Sequence, residues 1–240
     1  MPENKKTCAV IYSGGKDGHL ALLKILASGI KVVCLITIDG GKRHSYMFND
    51  LRKVEILKAH SSLLRIPLFV YKSPASFRPK LFLRTTLANI AKAAKRCYKF
   101  EILCGGMSDF DDGVTASDFR KAATEADVNF VTPVAALDMF ASIRYLERLG
   151  VRAVIVGVTG NISSRWLGRE LCPEFRSYLR SLRTSGIYAD GNDFQTLVVD
   201  SPAFSQPIQI LKTRVVSTRD NVFLKVVRFE PSSSSRSLLS

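Results

Sequence analysis

The stretch Tyr12-Ser13-Gly14-Gly15-Lys16-Asp17-Gly18 follows an apolar run, Cys8-Ala9-Val10-Ile11, and precedes a helical pattern, Leu20-Ala21-Leu22-Leu23-Lys24-Ile25-Leu26. A strand that turns into a helix through two glycines, a hydroxyl, a lysine and a carboxylate makes a seat for polyphosphate. The backbone N–H groups of Gly14 and Gly15 can approach an anion because no Cβ intrudes, and a helix N-terminus adds partial positive charge. Lys16 supplies a full charge, Ser13 a hydroxyl donor, and Asp17 a carboxylate for Mg2+ or for the start of the helix. The bland alternative is a glycine-rich turn with an acidic cap, needed for geometry alone. The spacing is neither G-x-x-x-x-G-K-S/T nor G-x-G-x-x-G, which separates the chain from P-loop kinases and from dinucleotide-binding folds.

Outward from this turn, strand and helix patterns alternate. Strands are expected at residues 7–12, 31–38, 68–71, 100–104 and 130–133, and helices at 19–28, 49–64 and 80–96. Another helix opens at about Ser117, taken as its N-cap. The β-α-β-α order predicts a parallel α/β sheet covered by helices. Beyond it, Asp138 is placed to cap a helix that Gly150 stops, a strand is expected at 153–158 and a helix at 170–183. Runs at 196–199, 208–217 and 222–229 alternate or are rich in β-branched residues, which predicts antiparallel strands. The expected organisation is a parallel α/β domain carrying the phosphate seat over residues 1–132, a smaller α+β domain over 133–230, and a Ser-rich disordered tail over 231–240.

The 240 residues suffice for a sizeable core. The apolar runs are too short for a membrane span, and the first residues lack a signal-peptide core, so a cytoplasmic protein is expected. Five cysteines, at 8, 34, 97, 104 and 172, include no C-x-x-C and no zinc spacing. Cys8, Cys34 and Cys104 fall in or beside expected strands and read as small hydrophobes. A net charge of +14 suits an acidic partner, such as a nucleotide, a carboxylate or a nucleic acid. The Lys and Arg are scattered, and no aromatic–basic pattern of an RNA-recognition fold is present.

Four segments in register add to the turn. Residues 13–18 resemble the S-G-G-x-D-S turn of PP-loop ATP pyrophosphatases. His44-Ser45-Tyr46-Met47-Phe48-Asn49 is similar to an S-Y/L-M-F/Y-Q/H segment after the second strand of the diphthine–ammonia ligase family. Leu167-Gly168-Arg169 with Leu171 resembles that family's L-G-R-x-L. Asp190-Gly191-Asn192-Asp193-Phe194-Gln195-Thr196 resembles E-x-G-E-Y-x-T, and residues 198–204 resemble V-D-x-P-L/A-F. There are departures: Gly18 stands where the turn motif ends in Ser, and Asp190 and Asp193 stand where the family has Glu.

The resemblance implies a HUP-like, PP-loop parallel sheet followed by a smaller α+β domain. It also implies an ATP- and Mg2+-dependent, AMP-forming amide ligase. In such an enzyme a small or protein-borne carboxylate attacks the α-phosphate, pyrophosphate leaves, and ammonia or a small amine displaces AMP. Carried onto this chain, Ser13, Gly14, Gly15, Lys16, Asp17, Gly18 and Asp39 bind nucleotide, with Asp17 the metal ligand. Lys16, Asp17, Asp190 and Asp193 are catalytic; Ser45, Asn49, Arg169, Asn192 and Thr196 contact the acyl or amine substrate. The base is expected near residues 35–38. A polar turn before a strand is the bland reading of 190–193, and Trp166 is either a packing residue or a lid. Two other readings stay open: a PP-loop enzyme that modifies RNA, and a nucleotide-binding module without catalysis. A homodimer is compatible with all three.

Overall fold

The computed structural model describes residues 6–39, 54–72, 79–107, 116–189, 193–217 and 221–232. The first sheet contains β1 (Thr7–Ile11), β2 (Lys31–Asp39), β3 (Leu68–Lys72), β4 (Ile102–Cys104) and β5 (Asn129–Val131), all parallel and ordered β3-β2-β1-β4-β5. Between them run α1 (Lys16–Ala27), α2 (Val54–Leu64), α3 (Pro79–Tyr98) and α4 (Ala116–Glu125). Alternation along β1 sorts its side chains. Cys8, Val10 and Tyr12 pack on one face with Leu20, Ile25 and Ile56, while Ala9 packs on the other with Ile90, Ala91 and Ala94. Each fully buried Leu or Ile contributes roughly 1.5–3 kcal/mol, so Leu20, Leu22 and Ile25 fix α1 against the sheet.

The expected parallel α/β layer is therefore present, with differences at its edges. α1 starts at Lys16 rather than near His19, because the glycine turn leads straight into the helix. α4 begins at Ala116, so Ser117 lies inside its first turn and is not the N-cap. Residues 49–53 of the second expected helix lie outside the described residues.

A second, antiparallel sheet follows, ordered β7-β6-β9-β8, with β6 (Arg152–Thr159), β7 (Phe194–Asp200), β8 (Ile208–Ser217) and β9 (Asn221–Pro231). Val154, Val156 and Leu197 on one face join the core that contains α1 and α2. Ile155, Val158 and Phe194 join a second cluster beneath α5 (Met139–Arg148) and α6 (Pro173–Thr184). α1 and α2 thus lie between the two sheets. Asp138 caps α5 as expected, its Oδ1 accepting from Ala141 N at 2.7 Å. Glu170 does not open a helix. It bridges to Val154 while Ile155 N donates to Arg169 O at 2.8 Å, and α6 starts only at Pro173, where proline suits a first helical turn. The L-G-R-x-L segment is therefore an extended strap along β6. No helix among the described residues is long and apolar enough to cross a membrane.

Candidate nucleotide site

In an open parallel sheet, ligands bind at the carboxyl ends of the strands, where the strand order reverses. Here that point falls between β1 and β4. The loops leaving these strands are residues 12–15 and 105–107, and they meet. A Cβ at Gly106 would stand 2.5 Å from the Asp17 carbonyl carbon and from Gly18 N. Only glycine lets the β4 exit lie on the first turn of α1 this closely.

Exposure alternates along the turn: Tyr12, Gly14 and Lys16 are buried, whereas Ser13, Gly15, Asp17 and Gly18 are partly open. Gly14 has φ +77°, a left-handed conformation natural only to glycine, and a Cβ there would meet Leu57 Cδ2 at 2.9 Å. β7 closes another side. Val198 N donates to Gly14 O at 2.8 Å, and Lys16 N donates to Thr196 Oγ1 at 3.0 Å. Thr196 is 4% exposed. It therefore holds the turn, a role that reading it as a substrate contact did not foresee. Thr196→Val should cost about 1–2 kcal/mol by leaving the Lys16 N–H buried without its acceptor. Urea unfolding of the variant against the parent checks this, and an unchanged midpoint would contradict the cap.

Lys16 Nζ binds both carboxylate oxygens of Asp17, at 2.6 and 2.7 Å, and lies 5.3 Å from the centroid of the Phe194 ring. The ammonium is thus held inward, with the Asp17 side chain 41% exposed at the surface. Asp17 has the hard oxygen chemistry that Mg2+ requires, and a cation there would take it over from Lys16. No cluster of three His, Cys, Asp or Glu suited to a metal occurs among the described residues.

Asp193, immediately before Phe194, accepts from Thr159 Oγ1 at 2.6 Å, and its carbonyl accepts from Thr159 N at 2.8 Å. It is one residue from the ring that flanks Lys16. Asp39 ends β2 opposite Lys72. Arg169 lies over Trp166, 5.6 Å from the ring centroid. Trp166 is 6% exposed among Phe175, Phe194 and Ile155, so it is a packing residue. Ser45, Asn49, Asp190 and Asn192 lie outside the described residues. The expected base position is only partly open. Leu35 is fully buried, while Ile36 and Ile38 line a cavity of about 10 Å³ with Ile11, Leu87, Ile90, Ala91 and Leu103.

Reading the sequence missed a buried polar relay behind the turn. Tyr12 Oη lies 2.9 Å from His19 Nδ1 and 2.8 Å from His60 Nδ1, and His19 Nε2 lies 2.7 Å from Ser201 Oγ. Tyr12, His19, His60 and Ser201 are all 0% exposed. Two opposite proton orders fit these distances. In one, the Ser201 hydroxyl, whose oxygen accepts from Ala203 N, donates to His19 Nε2. His19 Nδ1–H then donates to Tyr12 Oη, and the Tyr12 hydroxyl donates to His60 Nδ1. The Val198 carbonyl favours a proton on the His60 ring, although Nε2 makes no full hydrogen bond. Burial lowers both histidines to about 3, with His60 adding a smaller push on His19, and raises the Tyr12 phenol well above its usual value. All three are neutral at physiological pH. Phe204 packs against both imidazoles, at 5.2 and 4.9 Å, and Ser205 N donates to Leu63 O at 3.0 Å. The V-D-S-P-A-F segment is thus the clamp that fastens the second sheet onto α1 and α2. The only advance sign of the relay was a His on the apolar face of each helix.

The parallel order 3-2-1-4-5 puts the S-G-G-K-D turn at the switch point of the sheet, the place where an open α/β sheet takes its ligand. Residues 6–77 match the family model described as diphthamide synthase N-terminal domain. That match contains the turn, β1 to β3, Tyr12, His19 and His60. No curated protein matches the chain. Among solved structures, one similar chain is a predicted subunit of tRNA methyltransferase from Methanocaldococcus jannaschii, 16% identical, with TM-score 0.47, covering 82% of this chain and 98% of that one. Another is the U34-tRNA thiolase NcsA from Methanococcus maripaludis with its [4Fe-4S] cluster, 14% identical, with TM-score 0.39, covering 76% and 65%.

Proposed function

We propose that the chain is an AMP-forming amide ligase that spends ATP to pyrophosphate and AMP. The observation that carries this reading is the position of β7. Its residues 194–198 run along the glycine turn, and Asp193 stands next to the Lys16–Phe194 contact. The residues that would meet an acyl group and an amine thus border those that would meet polyphosphate.

The chemistry divides among named groups. Ser13, Gly15 and the first turn of α1 face the β- and γ-phosphates from the open side of the turn. Lys16, once released from Asp17, neutralises charge developing on departing pyrophosphate. Asp17 would hold Mg2+ against the phosphates, lowering their charge toward attack. A carboxylate oxygen attacks the α-phosphorus, the bond to the β-phosphate oxygen breaks, and an acyl adenylate forms. Ammonia or a small amine then attacks the acyl carbon, loses a proton to Asp193, and expels AMP.

The test is a pyrophosphate-release screen over carboxylic acids with ATP, Mg2+ and ammonia or small amines. AMP and pyrophosphate should appear in equal amounts, and Lys16→Ala should lower the rate about 100- to 1000-fold. ADP and phosphate as products would refute the ligase reading. The second reading, sulfur transfer to RNA after adenylation, requires a nucleophilic cysteine. Cys97 is exposed at the last turn of α3, and Cys172 precedes α6 with its thiol pKa raised, first by burial. A raised pKa leaves the Cys172 thiol less nucleophilic at neutral pH, so the ligase reading is preferred.

A further inference from the structure

α5 and α6 lie side by side and antiparallel: Phe140 at the start of α5 meets Arg180 and Arg183 near the end of α6, and Glu147 near the end of α5 pairs with Arg176 near the start of α6. Along this seam the exposed cations are all arginine. Arg144 and Arg148 share the Phe140–Glu147 side of α5 by helical spacing, and Arg180 and Arg183 share one side of α6. Glu147 is the sole carboxylate of α5, and Arg176 occupies it; the one acid of α6, Glu174, sits in its first turn beside Cys172. Arg144, Arg148, Arg180 and Arg183 have no carboxylate partner among the described residues. The guanidinium carbons of Arg180 and Arg183 lie 5.7 and 4.7 Å from the Phe140 ring centroid. The ring face attracts both cations while Arg180 and Arg183 remain exposed to solvent. Beyond the seam, Lys24 of α1 lies 4.7 Å from the centroid of Tyr145, itself 38% exposed.

We propose that the Arg144–Arg148–Arg180–Arg183 seam between α5 and α6 is a nucleic-acid interface that grips a phosphodiester backbone. Four guanidiniums without a carboxylate partner among the described residues, two of them over an aromatic ring, match the bidentate geometry of phosphate oxygens. Tyr145 beside them offers a stacking face for a base. An acidic protein segment would be served equally well by lysines and would need no aromatic platform. The inference concerns binding alone and stands or falls separately from the ligase reading.

The experiment measures anisotropy of a labelled single-stranded RNA 20-mer across a salt series, with single-stranded DNA, duplex RNA and polyglutamate in parallel. Wild-type protein should bind RNA with a strong inverse salt dependence. The R144Q/R148Q/R180Q/R183Q variant should weaken binding at least about tenfold, and its log K versus log[salt] slope should fall by roughly 0.7 for each arginine removed. R144Q/R148Q, which leaves Phe140 covered, should give about half that change and guards against misfolding of the fourfold variant. Removing four exposed charges elsewhere, with K58Q/K92Q/R96Q/K121Q, should leave RNA binding nearly unchanged. An R144Q/R148Q variant with wild-type slope, an equal loss in the displaced-charge variant, or polyglutamate binding as tight as RNA would each overturn the proposal.

Discussion

Gly106→Ala is expected to destabilise the protein by more than about 3 kcal/mol, the range for inserting atoms where backbone cannot yield. The new methyl would lie 2.5 Å from the Asp17 carbonyl carbon and Gly18 N, and 2.6 Å from Asp17 O. No flexible side-chain end is there to move. Either β4 must withdraw from its pairing, in which Gly105 N donates to Val131 O at 3.0 Å, or α1 must shift its first turn. Any such shift moves Asp17 and the Lys16 N–H held by Thr196, so ATP binding should fall more than about 100-fold even in molecules that still fold. Gly160→Ala is the matched control, because a Cβ there meets nothing within 4 Å. Thermal unfolding and calorimetric ATP titration of the two variants decide the matter. A Gly106→Ala protein that melts with the Gly160→Ala control would show that the β4 exit does not rest on α1.

Acid should unfold this protein through its two buried histidines. Their ordinary value is 6.5, and in the fold each is lowered to about 3. Between those values the unfolded chain binds protons that the native state refuses, so stability rises with pH through that window. It is fully present above about pH 6.5 and is lost progressively as pH falls toward 3. At pH 5 the loss is about 2 kcal/mol for each histidine. Tyr12→Phe should act on the same relay at neutral pH. It strips His19 Nδ1 and His60 Nδ1 of their shared partner at once, at a cost of about 2–5 kcal/mol for two stranded buried groups. Urea midpoints at pH 7.5 and pH 5, with histidine titrations followed by NMR, test both. Imidazoles that titrate near 6.5 in the folded protein would contradict the buried neutral relay.

Much of the first sheet was legible because its signals are local. The apolar runs of β1 and β2 are bounded by glycines, and Leu20, Leu22 and Ile25 repeat at helical spacing. Helix starts read less well. Ser117 has the side chain of a cap but follows a helix start at Ala116, and Glu170 has helix propensity but is held extended beside β6. In the second case tertiary pairing outweighs propensity. The glycine turn was legible as residue types, but the partner of its lysine was not. Nothing in the spacing of Lys16 and Asp17 indicates that the ammonium turns inward under Phe194. His19, His60 and Ser201 escaped notice for a related reason. Each looks ordinary in its own segment, and the relay exists only where three distant segments meet.

The clamp of β7 on the glycine turn also bears on when the seat comes into being. Lys16 N and Thr196 are 180 residues apart in sequence, and His19 and Ser201 are 182 apart. Loop closure over such spans is slow compared with the local helix and strand contacts of the first sheet. A chain emerging from the ribosome can therefore lay down β1, α1 and β2 early, yet its turn stays unfastened until the V-D-S-P-A-F segment has been synthesised and has folded back. Fastening of the turn is thus a late event in folding, and a nascent chain that stops short of residue 204 keeps its glycine turn without these partners.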